Sequence, residues 1–116
     1  MRHRKKGKVL DRRKGSRTAL LRGLVNNLVL YEKINTTKAK ANVIRPMVER
    51  LVTRGKTADM ASKRYVTARL YTVGASKKVF EVLGKRYKER AGGYTRIIKL
   101  KQRAGDGAEI VLIEFV

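Results

Sequence analysis

The residues of this sequence best suited to do chemistry are its lysines and arginines, which are densest at the N-terminus. The first seventeen residues, MRHRKKGKVLDRRKGSR, contain nine Lys or Arg and one Asp, a net charge of +8. Each phosphate that such a side chain neutralises releases condensed counterions, which gives affinity for nucleic acid without reading its sequence. Arginine adds a planar fork that bridges two phosphate oxygens or stacks on a base. This segment is therefore predicted to contact a polyanion.

The positive charge extends well beyond this segment. The 116-residue chain has 30 Lys or Arg and 9 Asp or Glu, so its net charge is +21, and +13 remains after the +8 of the first seventeen residues is subtracted. Self-repulsion of this size opposes a compact state, which indicates a partner that cancels it, either nucleic acid or anionic lipid. Lipid is the weaker alternative, because the chain has no Trp and only two Phe for insertion.

Residues for catalysis or metal binding are scarce. The single histidine, His3, falls within the basic segment, and the nine carboxylates show no spacing typical of an acid–base pair or a metal clamp. The absence of cysteine excludes disulfides and cysteine zinc sites, and no glycine-rich phosphate loop occurs. We expect no catalytic residue, no metal, no cofactor and no small-molecule substrate.

Apolar spacing predicts the helices that must position the basic residues. The first begins at Ser16, its predicted N-cap, and ends near Tyr31. The second covers 37–55 and contains the only proline, and the third begins at the capping residue Asp59 and is stopped by Gly74. A fourth, shorter helix is predicted over 76–87.

Strands are predicted at three places. A brief strand covers 33–36, and the segments YTRIIKLK and AEIVLIEFV form a hairpin around an Asp-Gly turn. Both faces of the last strand are largely apolar, which predicts that it is the central strand of a small sheet. The fold class is therefore α+β, a two-layer α/β sandwich of order α-β-α-α-α-β-β. Residues 1–15 are predicted to be a basic extension that binds nucleic acid, and residues 16–116 to be one domain.

The tyrosines are predicted to divide between core and surface. Tyr31, Tyr65 and Tyr71 fall at the helical spacing of core positions, as does Met60. Tyr94 does not, and it keeps a binding interpretation, stacking on a splayed base of single-stranded RNA.

The residues alone leave the kind of nucleic acid open. The third and fourth helices have the order of a helix-turn-helix, although most such pairs are packing units, and neither zinc fingers nor a dimer seam is recognisable. The alternatives are an RNA-binding protein, a nucleoid-type DNA-binding protein, and a small accessory domain of an RNA-modifying enzyme.

Short motifs in a fixed order favour the first alternative. The initiating Met-Arg-His is followed by INTTKAKANVIRP, then by RYKERAGGYTRI and a late Gly-Asp. Across essentially its whole length the chain resembles the bacterial ribosomal large-subunit protein seventeen family. The resemblance implies a non-catalytic structural protein of the large ribosomal subunit, cytoplasmic or organellar. It also implies binding to large-subunit (23S-type) ribosomal RNA near the exit of the nascent-chain tunnel, beside neighbouring large-subunit proteins.

The expected rRNA-binding residues combine positions that match the family motifs with further basic residues selected by charge. The motif positions are Arg2, His3, Arg12, Arg17, Thr36, Thr37, Lys40, Arg45, Arg86, Tyr94, Thr95 and Arg96. The residues added by charge are Arg4, Lys5, Lys8, Arg13 and Arg103.

Overall fold

The structure, a computed structural model, describes residue 10, residues 12–57 and residues 59–116. The predicted sites at Arg2, His3, Arg4, Lys5 and Lys8 lie outside the described residues. Within them the element order is α1 (Lys14–Tyr31), β1 (Lys33–Thr37), α2 (Lys38–Gly55), α3 (Met60–Arg69), α4 (Val73–Lys78), a π-helical turn (Val79–Leu83), α5 (Gly84–Arg86), β2 (Thr95–Gln102) and β3 (Glu109–Phe115). No helix among these is long and apolar enough to cross a bilayer.

The sheet has three antiparallel strands in the order β1-β3-β2, so the prediction of a central last strand is confirmed. Alternate residues of β3, beginning with Val111, are buried, and Leu112 between them is only partly buried. A register shift between Lys99 and Lys101 marks a bulge in β2. The predicted α+β class, with helices packed on a small sheet, is therefore confirmed.

The core forms where the helices pack on the inner face of the sheet. It contains apolar residues of α1, α2, α3, the π-helical turn and β3 with almost no exposed surface, among them Val25, Leu28, Ile44, Val48, Leu51, Val66, Leu83 and Ile113. Burying a side chain of this size contributes about 1.5–3 kcal/mol. The helical spacings in the sequence therefore located these core residues, although they also assigned Tyr31, Tyr71 and Met60 to the core, which are exposed.

Two glycines allow the end of α2 to approach the helical segment formed by α4, the π-helical turn and α5. A Cβ atom at Gly55 would lie 2.8 Å from the carbonyl oxygen of Val79, and one at Gly84 would collide with the carbonyl oxygen of Gly55. Any larger residue would force these backbones apart. The segment departs from α-helical geometry at this contact, in the π-helical turn.

Two predicted helix boundaries are wrong. Ser16 lies inside α1, which begins at Lys14 without a side-chain cap, because Arg13 already supplies the extended residue before the helix. Gly74 lies inside α4, because the chain leaves the helix earlier. There the Asn26 side chain accepts hydrogen bonds from the backbone of Tyr71 and Thr72, at 3.1 and 3.3 Å.

The prediction for the tyrosines is largely wrong. Tyr31 and Tyr71 are 69% and 53% exposed, as is Met60 at 65%, whereas Tyr94 is 1% exposed. The Tyr94 ring lies 5.2 Å from the Tyr87 ring, between helix and sheet. With both faces covered in this way, Tyr94 cannot stack on a base. Helical spacing identifies the apolar face of a helix, but it does not show how much of that face is covered by a neighbouring element.

Candidate nucleic-acid interface

The three longer helices carry a large surplus of positive charge. Residues 12–72 contain fifteen Lys or Arg and three carboxylates. Of the carboxylates, Asp59 caps α3 by accepting from the Ser62 backbone at 2.8 Å. Hydrogen bonds from Ser62 lower the pKa of Asp59, so it stays charged at its cap.

Almost none of these cations is neutralised within the described residues. Among the basic residues of α1, α2 and α3, only Lys38 lies within 4.0 Å of a carboxylate there. We call the others, with the residues just before α1, the helical cations. They are Arg12, Arg13, Lys14, Arg17, Arg22, Lys40, Arg45, Arg50, Arg54, Lys63, Arg64 and Arg69.

Tyrosines hold several of the helical cations in place. The guanidinium carbons of Arg54 and Arg69 lie over the Tyr65 ring, 4.7 and 3.7 Å from its centroid. Arg22 lies over the Tyr71 ring in the same way, at 4.8 Å. Cation–π contact orients a guanidinium plane without using its N–H donors. These arginines are therefore positioned while most of their donors stay available.

A groove of about 310 Å³ lies between α1, α2 and α3, and we call it the Tyr65 groove. Its lining combines the apolar side chains of Leu21, Met47 and Leu51 with the arginines Arg22, Arg50 and Arg69, and none of the described carboxylates belongs to it. The Arg22 Nε atom is buried and has no hydrogen-bond partner among the residues that the structure describes. The groove can therefore accept a ligand that is both apolar and anionic.

Four carboxylates on or beside the sheet are in contrast paired with cations, and we call these contacts the sheet-side pairs. They join Glu32 to Arg86 and Lys78, Glu114 to Arg96, Asp106 to Arg103, and Glu109 to Lys38 and Lys99. The pKa of Glu32 is lowered, mainly by the hydrogen bond from Arg86. The hydrogen bonds from Arg103 likewise hold the pKa of Asp106 at about 2. Part of the positive charge on this side is therefore neutralised.

The predicted site residues divide between these regions. Arg12, Arg13, Arg17, Lys40 and Arg45 are all helical cations with at least partly exposed side chains. The arginines predicted at 86, 96 and 103 each contact a carboxylate in the sheet-side pairs.

The predicted threonines lie mostly inside the protein. Thr36 and Thr95 are buried, and Thr37 is partly buried at the end of β1. The Thr95 hydroxyl donates a hydrogen bond to Glu49 at 3.4 Å. The structure therefore gives Thr36 and Thr95 packing positions and does not join them to the helical cations.

Sequence reasoning missed the arginines around Tyr65. Arg50 and Arg54 stand four residues apart in α2, as do Tyr65 and Arg69 in α3, and this spacing places each pair on one side of its helix. The spacing was a usable signal. The meeting of the two helices at Tyr65 was not visible in it.

Comparison with known proteins gives one consistent result. A family model described as ribosomal protein L17 matches residues 20–116. A Dehalococcoides mccartyi protein named "Large ribosomal subunit protein bL17" is 47% identical over 116 residues, covering 100% of this chain and 99% of its own length. A protein of the same name from Sphingopyxis alaskensis is 47% identical, covering 100% of this chain and 84% of its own length. Another from a Hydrogenobaculum species is 46% identical, with coverage of 100% and 99%.

Proposed function

The chain belongs to the ribosomal protein L17 family, and we propose that it binds large-subunit (23S-type) ribosomal RNA through its helical cations. Family membership makes it a structural component of the large ribosomal subunit in the cytoplasm. The proposal adds which surface of the chain meets the RNA.

The observation that carries this proposal is that, within the part of the chain that the structure describes, the helical cations have no carboxylate partners. A cation that already contacts a carboxylate loses that contact when it binds a phosphate, whereas an unpaired cation loses only water and counterions. Arginine predominates in the set, and its planar fork fits phosphate oxygens. Binding to RNA therefore costs the helical cations less than it costs Arg86, Arg96 and Arg103, which each contact a carboxylate.

The basic segment 1–15 extends this surface in the proposal. Its charge adds phosphate contacts whatever its path, because affinity gained through counterion release depends mainly on the number of contacts. Arg2, Arg4, Lys5 and Lys8 are its proposed contact residues, together with His3.

A finer part of the proposal concerns location and neighbours. We place the protein near the exit of the nascent-chain tunnel, beside other large-subunit proteins, with no catalytic role. The carboxylates of the sheet-side pairs are engaged with cations, and Asp59 is engaged as a helix cap. These groups serve the fold rather than acid–base chemistry.

A competition experiment tests the choice of nucleic acid. The affinity of the full chain for a transcript of large-subunit rRNA is compared with its affinity for double-stranded DNA of equal length, at matched salt. We expect tighter binding to the transcript, and co-sedimentation with the large subunit at a salt concentration that releases the chain from DNA. Equal or tighter binding to DNA would contradict the proposal and favour a nucleoid-type protein.

A further inference from the structure

We propose that the Tyr65 groove holds one unstacked nucleotide of RNA, with its base in the apolar part and its phosphate among the arginines. This inference rests on the proposed function and assigns a specific site within it. The ligand class is a single nucleotide extruded from a bulge or loop, not a paired helix.

The size and lining of the groove set the class of ligand. A volume of about 310 Å³ is at the lower end of the roughly 300–1,000 Å³ typical of small-molecule sites, which suits one nucleotide and excludes a duplex. Leu21, Met47 and Leu51 provide apolar contacts for a flat base, and Arg22, Arg50 and Arg69 provide donors for a phosphate. An unstacked base with its phosphate has this combination of chemistry.

Two of the three arginines that line the groove are held in place before a ligand arrives. Arg69 is fixed over the Tyr65 ring and by a 3.3 Å hydrogen bond from its Nη1 to the Tyr65 carbonyl. Arg22 is fixed over Tyr71 and by a 3.3 Å hydrogen bond to the Leu70 carbonyl. Because these side chains are held before binding, less conformational entropy is lost when a ligand arrives.

The buried Nε of Arg22 is a second, independent indication of a ligand. Buried polar atoms are nearly always hydrogen-bonded, whereas this one, in a side chain that lines the groove, has no partner among the described residues. An anionic group in the groove would supply an acceptor at this end.

An acidic peptide with an apolar side chain is the competing occupant, and the composition of the lining favours the nucleotide. The cations that line the groove are all arginines, whose planes stack on bases as well as bridging phosphate oxygens. The Tyr65 ring carries Arg54 and Arg69 over it, so the guanidinium planes are the stacking surface. A carboxylate does not need such a surface.

The test compares three RNA hairpins that differ at one position. The first is fully paired, the second carries one bulged uridine, and the third carries an abasic residue at the bulge. We expect the full chain to bind the uridine bulge about tenfold more tightly than either of the others, as base stacking on such surfaces allows.

A groove-filling variant and a matched control locate the effect. Ala68 lines the groove and is exposed on α3, so Ala68→Leu narrows the groove without changing charge. Ala61 is exposed on the same helix and is not part of the groove lining, so Ala61→Leu is the matched control. We expect Ala68→Leu to abolish the preference for the uridine bulge and Ala61→Leu to leave it intact.

The methionines give a direct readout in the same protein. The chain has three, at positions 1, 47 and 60, and of these Met47 lines the groove while Met60 is 65% exposed at the start of α3. With carbon-13 methyl labels, the uridine bulge should shift the Met47 signal through the ring current of its base. The Met60 signal should move much less.

The outcomes distinguish a failure of the proposed nucleotide site in the Tyr65 groove from a failure of the proposed rRNA binding. Tight binding to all three hairpins without preference, and no Met47 shift, would overturn the groove while leaving RNA binding intact. A different result would assign the groove to a protein partner. In that case an acidic peptide shifts the Met47 signal, Ala68→Leu abolishes this shift, and the uridine bulge causes no shift. Failure to bind any of the hairpins or the rRNA transcript would contradict the proposed function itself.

Discussion

Two regions of the molecule use a similar number of cations in different ways. Residues 38–72 contain nine Lys or Arg and two carboxylates, whereas residues 73–116 contain ten Lys or Arg and five carboxylates. In the second region, Arg86, Arg96 and Arg103 each contact a carboxylate. In the first, only Lys38 does so within the described residues. The share of paired cations within the described residues, one of nine in the first region and five of ten in the second, therefore distinguishes the two regions more than the density of positive charge does.

The two sets of cations also differ in what they contribute to the stability of the fold. Exposed ion pairs contribute about 0–1 kcal/mol each, so the sheet-side pairs stabilise the fold only modestly. Within the described residues the helical cations form no such ion pair, so they add no stability in this way. They also repel one another. Helices that carry them must be held by apolar packing and by specific backbone contacts, and disrupting those contacts gives the largest expected effects.

The contact between Gly55 and Gly84 joins the two regions. Gly84→Ala should lower the free energy of unfolding by about 2–3 kcal/mol, because the added methyl group meets the Gly55 carbonyl oxygen. Gly74→Ala, in α4 with nothing within 4 Å, is the control and should stabilise the protein by about 0.5–1 kcal/mol. Urea unfolding of both variants measures the difference, and similar values for the two would show that the glycine contact is not tight.

Asn26 holds the connection between α3 and α4 against α1. Asn26→Ala should cost about 2 kcal/mol of unfolding free energy, because the backbone N–H groups of Tyr71 and Thr72 lose their shared acceptor. Asn27→Ala, at the exposed neighbouring position, should change stability by less than about 0.5 kcal/mol. If both variants unfold at the same urea concentration, Asn26 does not organise this side of the helical layer.

Glu32 gives the sheet-side pairs a pH dependence. Its pKa is lowered in the folded protein, chiefly by the hydrogen bond from Arg86, so its contribution is complete above the unfolded pKa of about 4.3. That contribution is lost as the pH falls through the folded pKa. Glu32→Gln should lower stability at pH 7 by about 1 kcal/mol or less, since the side chain is partly exposed.

The difference between wild type and Glu32→Gln should shrink as the pH falls through the folded pKa of Glu32. Glu81→Gln, at an exposed position without an ion pair in the described part of the chain, is the control and should show no such trend. Thermal unfolding between pH 3 and pH 7 measures the trend. A constant difference across this range would mean that Glu32 stabilises the fold by something other than its charge.

Sequence reasoning gave the class of fold because each element has a local signal. The spacing of Ile44, Val48 and Leu51 identified α2, and the apolar residues on both faces of β3 identified a central strand. The π-helical turn had no such signal, because it arises where two backbones meet. Tyr31 and Tyr94 were assigned to the wrong environments for a similar reason, since the burial of a side chain depends on which other elements pack against it.

The candidate interface was only partly predictable. Charge and family motifs identified Arg12, Arg17 and Arg45, but they gave Arg96 equal weight. The structure separates these residues because Glu114 lies 2.7 Å from Arg96 across the sheet. Which cation meets a carboxylate is a property of strand pairing and helix packing, and composition does not contain it.

The central claim is that the chain binds rRNA through its helical cations and not through the cations of the sheet-side pairs. The most direct test compares the salt dependence of rRNA binding for two triple variants of equal charge. One replaces the helical cations Arg45, Arg50 and Arg54 with Ala. The other replaces the paired residues Arg86, Arg96 and Lys99. Each phosphate contact contributes roughly 0.7–0.9 to the slope of log affinity against log salt. We predict that the first variant lowers the slope by about 2 and the second by less than about 1, and equal changes in the two variants would contradict the claim.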